Sequence, residues 1–227
     1  MEYKKEKFDE IKKNLIDIYY GGKIECPKIS ITNSVGQSLE NKIVEKYLNN
    51  GEIDIAVVAW KAGRLAEDNL TLGFKNDNYV NGYGKPFGKD KQDLKDYIDR
   101  VRNQWQNIEN NKEFVEIYEN LVNCKPPKNF GAVYIINLIF FLSKAKFPIY
   151  DKYSHIALKS LYMNKAPYEI YVGDAPGKND INKVVNMYNE YLWLLDNVFG
   201  ERSKDIDDER NLDRALWVYG HAQKAYR

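Results

Sequence analysis

The most informative part of the chain is residues 126–161, which read PPKNFGAVYIINLIFFLSKAKFPIYDKYSHIALKSL. A short polar segment, Lys128–Gly131, precedes an apolar run that continues to Ser143. Pro148 prevents the helix from continuing beyond the connection that follows Ser143, and Asp151 stands where the next apolar periodicity begins. This order predicts a tight hairpin, an apolar helix, a short connection and an aspartate at the start of a further helix.

Outside this window, apolar residues recur at three- and four-residue steps, so the predicted fold class is mainly α. The predicted helices are residues 8–18, 38–48 (with Ser38 as N-cap), 53–65, 89–108, 112–122, 131–143, 151–161, 180–199 and about 207–224. Gly and Asn in the stretch 69–88 predict a long loop or a short hairpin, and Tyr168–Val172 is predicted as a short strand.

The pattern predicts a single unit, 1–227, made of two helical lobes around a cleft. The middle of the chain, about residues 53–150, forms one lobe. The N-terminal and C-terminal helices (1–52 and 151–227) pack together as the other.

Composition excludes several classes of protein. The 227 residues carry a net charge of only +1, which gives no general electrostatic argument for nucleic acid. Two distant cysteines, Cys26 and Cys124, exclude an iron–sulfur cluster, which needs four. The apolar run 132–142 is too short to cross a bilayer and the first residues are charged, so we expect no membrane partner and a cytoplasmic location.

The hairpin, helix and aspartate of residues 126–161 resemble the helix-hairpin-helix DNA glycosylases, with the motif near residues 112–145. A gapless alignment puts Asn129 on the first hairpin glycine, Gly131 on the second and Asp151 on the catalytic aspartate. Such a hairpin offers backbone N–H groups to phosphates and needs residues that tolerate left-handed backbone angles, as Gly and Asn do. The alignment covers roughly a sixth of the chain.

The resemblance implies a base-excision N-glycosylase that removes a damaged or modified purine from double-stranded DNA in a nucleoid-associated setting. The runs VAWKAGR (Val58–Arg64) and DRALWVYG (Asp213–Gly220) resemble the bacterial 8-oxoguanine branch. Val133 replaces the lysine that forms a Schiff base in lyase-competent members, so the chain is similar to the monofunctional ones. The family implies no required cofactor, and it allows a monovalent cation on the hairpin carbonyls.

Asp151 is the predicted catalytic residue. Orphan amides at a helix N-terminus favour an ionised carboxylate. A fixed carboxylate beside an extruded nucleoside stabilises the developing oxocarbenium ion or orients water toward the sugar C1′. The ordinary interpretation, which stays open, is that Asp151 only caps the helix.

Local charge supports a phosphate-binding surface. Between Lys125 and Lys165 there are seven lysines against one acidic residue, Asp151. This excess is the footprint of a protein that binds phosphates on one face. The predicted DNA-binding residues are Lys128, Asn129, Gly131, Lys144, Lys146 and Lys152.

The predicted base pocket is formed by Val133, Asn137, His155 and Trp217. Val133 and Asn137 are expected on the inward face of the apolar helix, and Trp217 is a candidate to stack on a flipped base. Core packing is the alternative for Trp217, and a partly buried helix position is the alternative for His155. The loop 73–88 is either a wedge that fills the gap left by an extruded base or a plain surface loop.

Two other functions stay open. The first is a helix-hairpin-helix protein that binds DNA ends or distortions without cleaving, for example in genome defence. Val133 in place of the family's lysine and Tyr153 in place of its histidine favour it, whereas the retained Asp151 favours the enzyme. The second is a helical interaction protein in which the lysines form a solvated face. No metal site is predicted.

Overall fold

The computed structural model describes residues 5–20, 35–109, 113–201, 203 and 205–221, and this part of the chain is mainly helical, as predicted. The helices are α1 (Lys5–Tyr19), α2 (Gln37–Ile43, continued by a π-helical turn Val44–Leu48), α3 (Ile55–Lys61), α4 (Lys91–Ile108), α5 (Phe114–Asn123), α6 (Ala132–Leu142), α7 (Lys152–Met163), α8 (Ile181–Phe199) and α9 (Ile206–His221). Strands β1 (Leu65–Asp68) and β2 (Thr71–Phe74) pair antiparallel, with Leu65 opposite Phe74. Short 3-10 turns lie at Lys75–Asp77 and Pro167–Glu169.

The chain divides into two compact units. Unit 1 comprises residues 1–33, 150–174 and 186–227, and unit 2 comprises residues 34–149 and 175–185. The predicted division differs in residues 34–52 and 175–185, which lie in unit 2. Residues 34–52 belong there because α2 contacts α3 and β1, and its π-helical extension contacts α6.

Helix α6 forms the centre of unit 2. Its sequence, AVYIINLIFFL, is apolar on every side, and a helix of this kind is stable only when it is surrounded. Helices α3 and α5 contact it, and Trp60 meets Phe141 edge to face with ring centroids 5.5 Å apart. Among the described helices, none is both long and apolar enough to span a bilayer.

In unit 1, helix α7 packs against α9 and α1 packs against α9. Gly220 on α9 is required by this packing, because a Cβ atom at this position would overlap the Tyr153 carbonyl. The two helices therefore meet backbone to backbone within the first turn of α7. Phe8 of α1 packs against Tyr219 of α9, with ring centroids 5.6 Å apart.

Three local predictions are wrong. The helix predicted for 53–65 ends at Lys61, because the chain turns at Gly63, with φ +67°, and enters β1. Ser38 lies inside α2, whose N-cap is Gly36. The segment Tyr168–Val172 is no strand: a 3-10 turn occupies its start, and Ile170 and Val172 then pack beside Ile156 as extended chain.

Candidate functional site

The connection between α5 and α6, residues 124–131, contains the predicted hairpin. A turn closes at its centre, where the Phe130 N–H donates to the Pro127 carbonyl at 3.2 Å. Asn129 has a left-handed backbone (φ +63°), the conformation that Asn and Gly tolerate best. Gly131 is extended (φ −82°, ψ 174°) and serves as the N-cap of α6.

Gly131 leaves the start of α6 open. No side chain caps this helix, and a Cβ atom on Gly131 would meet nothing within 4 Å. The first amides of a helix lack intrahelical partners and carry its positive dipole end. The arrangement suits an external anion that approaches the backbone.

The hairpin is bonded to the loop that follows β2. Asn129 Nδ2 donates to the Pro86 carbonyl at 2.8 Å, and the Gly88 N–H donates to the Lys128 carbonyl at 3.0 Å. The Gly82 N–H donates to the Tyr134 hydroxyl of α6 at 3.0 Å. The loop is therefore held against the hairpin and against α6, the helix that follows the hairpin.

The tip of this loop is a compact turn that presents a tyrosine. Asn81 Oδ1 accepts from the Tyr83 N–H at 2.9 Å and from the Lys85 N–H at 3.0 Å, and Val80 bridges Pro86. Tyr83 at the tip is 89% exposed. The sequence left open whether the stretch 69–88 is a long loop or a short hairpin, and these contacts make its tip a short hairpin-like turn. The chemical role of this turn stays a prediction.

The predicted DNA-binding lysines of unit 2 lie at opposite ends of α6. Lys128 is exposed before the helix, whereas Lys144 and Lys146 are exposed after its last residue. An 11-residue helix is about 16 Å long, so Lys128 is separated from Lys144 and Lys146 by the length of α6. Lys144 also packs its stem beside Gly51, and the Lys146 ammonium lies 5.2 Å from the Phe147 ring centroid.

Asp151 is the N-cap of α7, as predicted. It is half-buried with an extended backbone (φ −138°, ψ 141°), and its Oδ1 accepts from the Tyr153 N–H at 2.9 Å. This hydrogen bond fixes the carboxylate at the positive end of the helix. Capping and catalysis both use this geometry, so the catalytic role stays a prediction.

Sequence reasoning missed a polar cluster on α9 beside the start of α7. Asp213 accepts from Ser154 Oγ at 3.2 Å and from Arg210 Nη1 at 2.6 Å, and Arg210 is only 1% exposed. Burial raises the pKa of Tyr191 well above its usual range, and the charges of Asp213 and Asp151 add to the effect. The signal available in the sequence was an arginine three residues before an aspartate on an otherwise apolar helix face.

Two of the seven lysines that were counted as local positive charge are neutralised by acidic residues of unit 1. Lys152 Nζ lies 2.8 Å from Asp174 Oδ1, and this hydrogen bond raises the pKa of Lys152. Lys159 Nζ lies 2.6 Å from Glu190 Oε1. Both acids come from outside residues 125–165, which is why a count within that window overestimates the local positive charge.

His155 is fully buried in unit 1, at 1% exposure. Its Nδ1 lies 3.2 Å from the Tyr150 hydroxyl, and its Nε2 lies 3.6 Å from Glu190 Oε2. Burial lowers the pKa of His155 to about 4, so the imidazole is neutral near pH 7. The prediction of a partly buried residue underestimated its burial, and a buried neutral ring is poorly placed to meet a ligand.

The other predicted pocket residues differ in their burial. Asn137 is 0% exposed, and its Nδ2 donates to the Val57 carbonyl of α3 at 3.0 Å. Val133 is half-buried on α6. Trp217 is half-buried on α9, where its ring centroid lies 3.9 Å from His221, whose ring stacks on Tyr153. Trp217 is thus connected to the start of α7 through two rings, whereas Asn137 belongs to the core of unit 2.

No protein-family model, curated protein or solved structure matches this chain.

Proposed function

We propose that this chain is a monofunctional DNA N-glycosylase that removes a damaged or modified purine, with 8-oxoguanine as the first candidate. In this proposal α5, the connection 124–131 and α6 act as the helix-hairpin-helix motif, and the two compact units correspond to the two lobes of the family. The observation that carries the proposal is the Asp151 carboxylate, fixed as the N-cap of α7 at the family spacing from the hairpin.

Asp151 would act by charge. When the N-glycosidic bond breaks, electrons leave with the base and positive charge develops at C1′ and the ring oxygen. A carboxylate held by the Tyr153 amide needs no reorganisation to stabilise that charge, and it can take a proton from the attacking water. Val133 offers no amine to form a Schiff base, so water would add to C1′ as the base leaves, and the sugar would stay in the strand as an abasic site.

Unit 2 would bind the DNA backbone. The uncapped start of α6 supplies backbone N–H groups to a phosphate, and Lys128 is exposed beside it. Tyr83 projects from the turn bonded to this hairpin, so we assign it the wedge role that the sequence left open. An aromatic ring at a rigid tip can stack between bases at a low entropy cost.

The decisive experiment is a panel of duplexes, each with one lesion (8-oxoguanine, hypoxanthine, uracil or an alkylated purine), assayed for base release. We expect Asp151→Asn to reduce release by about a hundredfold or more, because one electrostatic contribution is lost. Its free energy of unfolding should change by only about a few tenths of a kcal/mol, since Asn caps nearly as well.

Asp90→Asn is the matched control. Asp90 caps α4 in the same way, through Oδ1 contacts with the Gln92 and Asp93 amides at 2.8 and 3.2 Å. Equal release by the native chain and Asp151→Asn would remove Asp151 from the mechanism. Loss of release in both variants would indicate a general folding effect.

The rival is a DNA-binding protein without catalysis. Burial of His155 favours it, because the one histidine of the motif region is withdrawn from any ligand. Tight duplex binding with no base released from any lesion would establish the rival. Absence of duplex binding would leave the helical interaction protein.

A further inference from the structure

Four consecutive carbonyls of the hairpin connection are bound by cationic side chains. Arg100 of α4 donates from Nε to the Cys124 carbonyl at 2.9 Å and from Nη2 to the Lys125 carbonyl at 3.4 Å. Lys178 Nζ lies 3.0 Å from the Pro126 carbonyl and 2.7 Å from the Pro127 carbonyl. All of these residues lie in unit 2.

The sequence concentrates negative partial charge at this place. The connection begins at the C-terminus of α5, where the helix dipole is negative. Pro126 and Pro127 add carbonyls and no N–H donors, and the left-handed Lys125 (φ +59°) reorients the chain between them and the helix. Oxygen atoms gathered in this way form a cation site.

Both the side chain and the backbone of Lys178 are bonded at this site. Its own carbonyl accepts from the Tyr118 hydroxyl of α5 at 3.0 Å, so its backbone is tied to the helix that precedes the hairpin. Lys178 is half-buried, and this burial lowers its pKa. An ammonium gives up hydration in this way only where protein oxygens replace the water.

The resemblance allows a monovalent metal ion on the hairpin carbonyls, and these residues do not fit one. Two of the carbonyls already accept from Lys178, and a second cation beside that ammonium would be repelled. We propose that the Lys178 ammonium is the hairpin's own tethered cation, which fixes the Pro126 and Pro127 carbonyls so that no metal ion is needed. Arg100 does the same for the two preceding carbonyls. This inference concerns the hairpin's architecture and does not depend on the proposed enzyme activity.

The test compares melting temperatures in potassium chloride and in tetramethylammonium chloride at equal ionic strength. The native chain should melt at the same temperature in both salts. In tetramethylammonium chloride, Lys178→Met should melt about 5 °C below the native chain, because two charged hydrogen bonds are lost. In potassium chloride, the potassium ion should enter the vacated carbonyl site and restore part of that loss. Lys178→Arg, which keeps the charge, should behave as the native chain does.

Lys183→Met is the matched control, since Lys183 lies five residues away and pairs only at the surface, with Asp180 at 2.6 Å. The proposal is overturned if potassium stabilises the native chain, if Lys178→Met melts as Lys183→Met does, or if potassium restores none of the melting temperature that Lys178→Met loses. Should Lys178→Met not fold, the native and Lys178→Arg measurements still decide the question. None of these readouts uses DNA, so failure of the glycosylase proposal would leave them unaffected.

Discussion

The starts of α6 and α7 are two solutions to the same problem of unpartnered amides. Helix α6 begins at Gly131 with no side-chain cap and open space around it. Helix α7 begins at Asp151, whose carboxylate bonds the Tyr153 amide, and Gly220 of α9 lies against the Tyr153 carbonyl. One start is left open to an external anion, whereas the other carries its own anion in a tightly packed setting.

The largest expected difference between the two helix starts is in the free energy of unfolding after an alanine substitution at Gly220, beside α7, or at Gly131, at the start of α6. A Cβ atom at Gly220 overlaps the Tyr153 carbonyl, so Gly220→Ala must push α9 away from α7. We expect it to lower the free energy of unfolding by about 3 kcal/mol, the upper range for overpacking. Gly131→Ala should change it by less than about 1 kcal/mol, since φ −82° suits alanine and the added methyl is unopposed. Urea denaturation measures both, and a similar loss in both variants would contradict the comparison.

Burial of His155 on α7 should make the free energy of unfolding of unit 1 sensitive to acid. Burial lowers the pKa of His155 to about 4 from 6.5, so the unfolded chain takes up the proton first as the pH falls. Stability should therefore decrease between about pH 6.5 and pH 4, by up to about 3 kcal/mol from this group. The groups that face the ring are Tyr150, Tyr191, Glu190 and Lys159, of which Glu190 opposes the shift and Lys159 adds to it.

His155→Gln isolates that contribution, because glutamine keeps a partner for the Tyr150 hydroxyl and does not titrate. Urea denaturation at several pH values should give a flatter curve for the variant over this interval. Curves that run parallel for the two proteins would show that His155 does not control the acid sensitivity.

The sequence predicted local features well where one residue type decides them. Asp151 at the start of α7, the left-handed Asn129 and the apolar α6 follow from capping, backbone freedom and hydropathy. It failed where distant residues decide. The partners of Lys152 and Lys159 lie 22 and 31 positions away, and the contact between Gly220 and Tyr153 depends on how α9 packs.

Two exposed tyrosines test whether stacking on DNA is specific to the unit 2 turn. Tyr83 is 89% exposed at the turn bonded to the hairpin, and Tyr171 is 86% exposed on the extended segment of unit 1. If Tyr83 is the wedge, Tyr83→Ala should weaken binding to a lesion duplex by about tenfold, within the range for one stacked base. Tyr171→Ala should leave it within about twofold. Fluorescence anisotropy measures both, and equal effects would remove the wedge from the proposal.

The smallest expected difference lies between two lysines near these helix starts. Lys128 is exposed before α6, whereas the Lys152 ammonium at the start of α7 is held 2.8 Å from Asp174. A lysine that neutralises one phosphate releases condensed counterions, so its removal should reduce the slope of log affinity against log salt by about 0.9. We therefore expect that change for Lys128→Gln and almost none for Lys152→Gln, since Asp174 already neutralises Lys152.

Duplex binding titrated over a range of potassium chloride concentrations gives both slopes. Equal reductions would mean that Lys152 leaves Asp174 for a phosphate when DNA binds, and the start of α7 would then share the backbone contact with the start of α6. A native affinity that does not vary with salt would instead exclude phosphate contacts from both units, because counterion release accompanies every one of them. The lysines would then be solvated surface charges, and the helical interaction protein would replace the glycosylase as the best proposal.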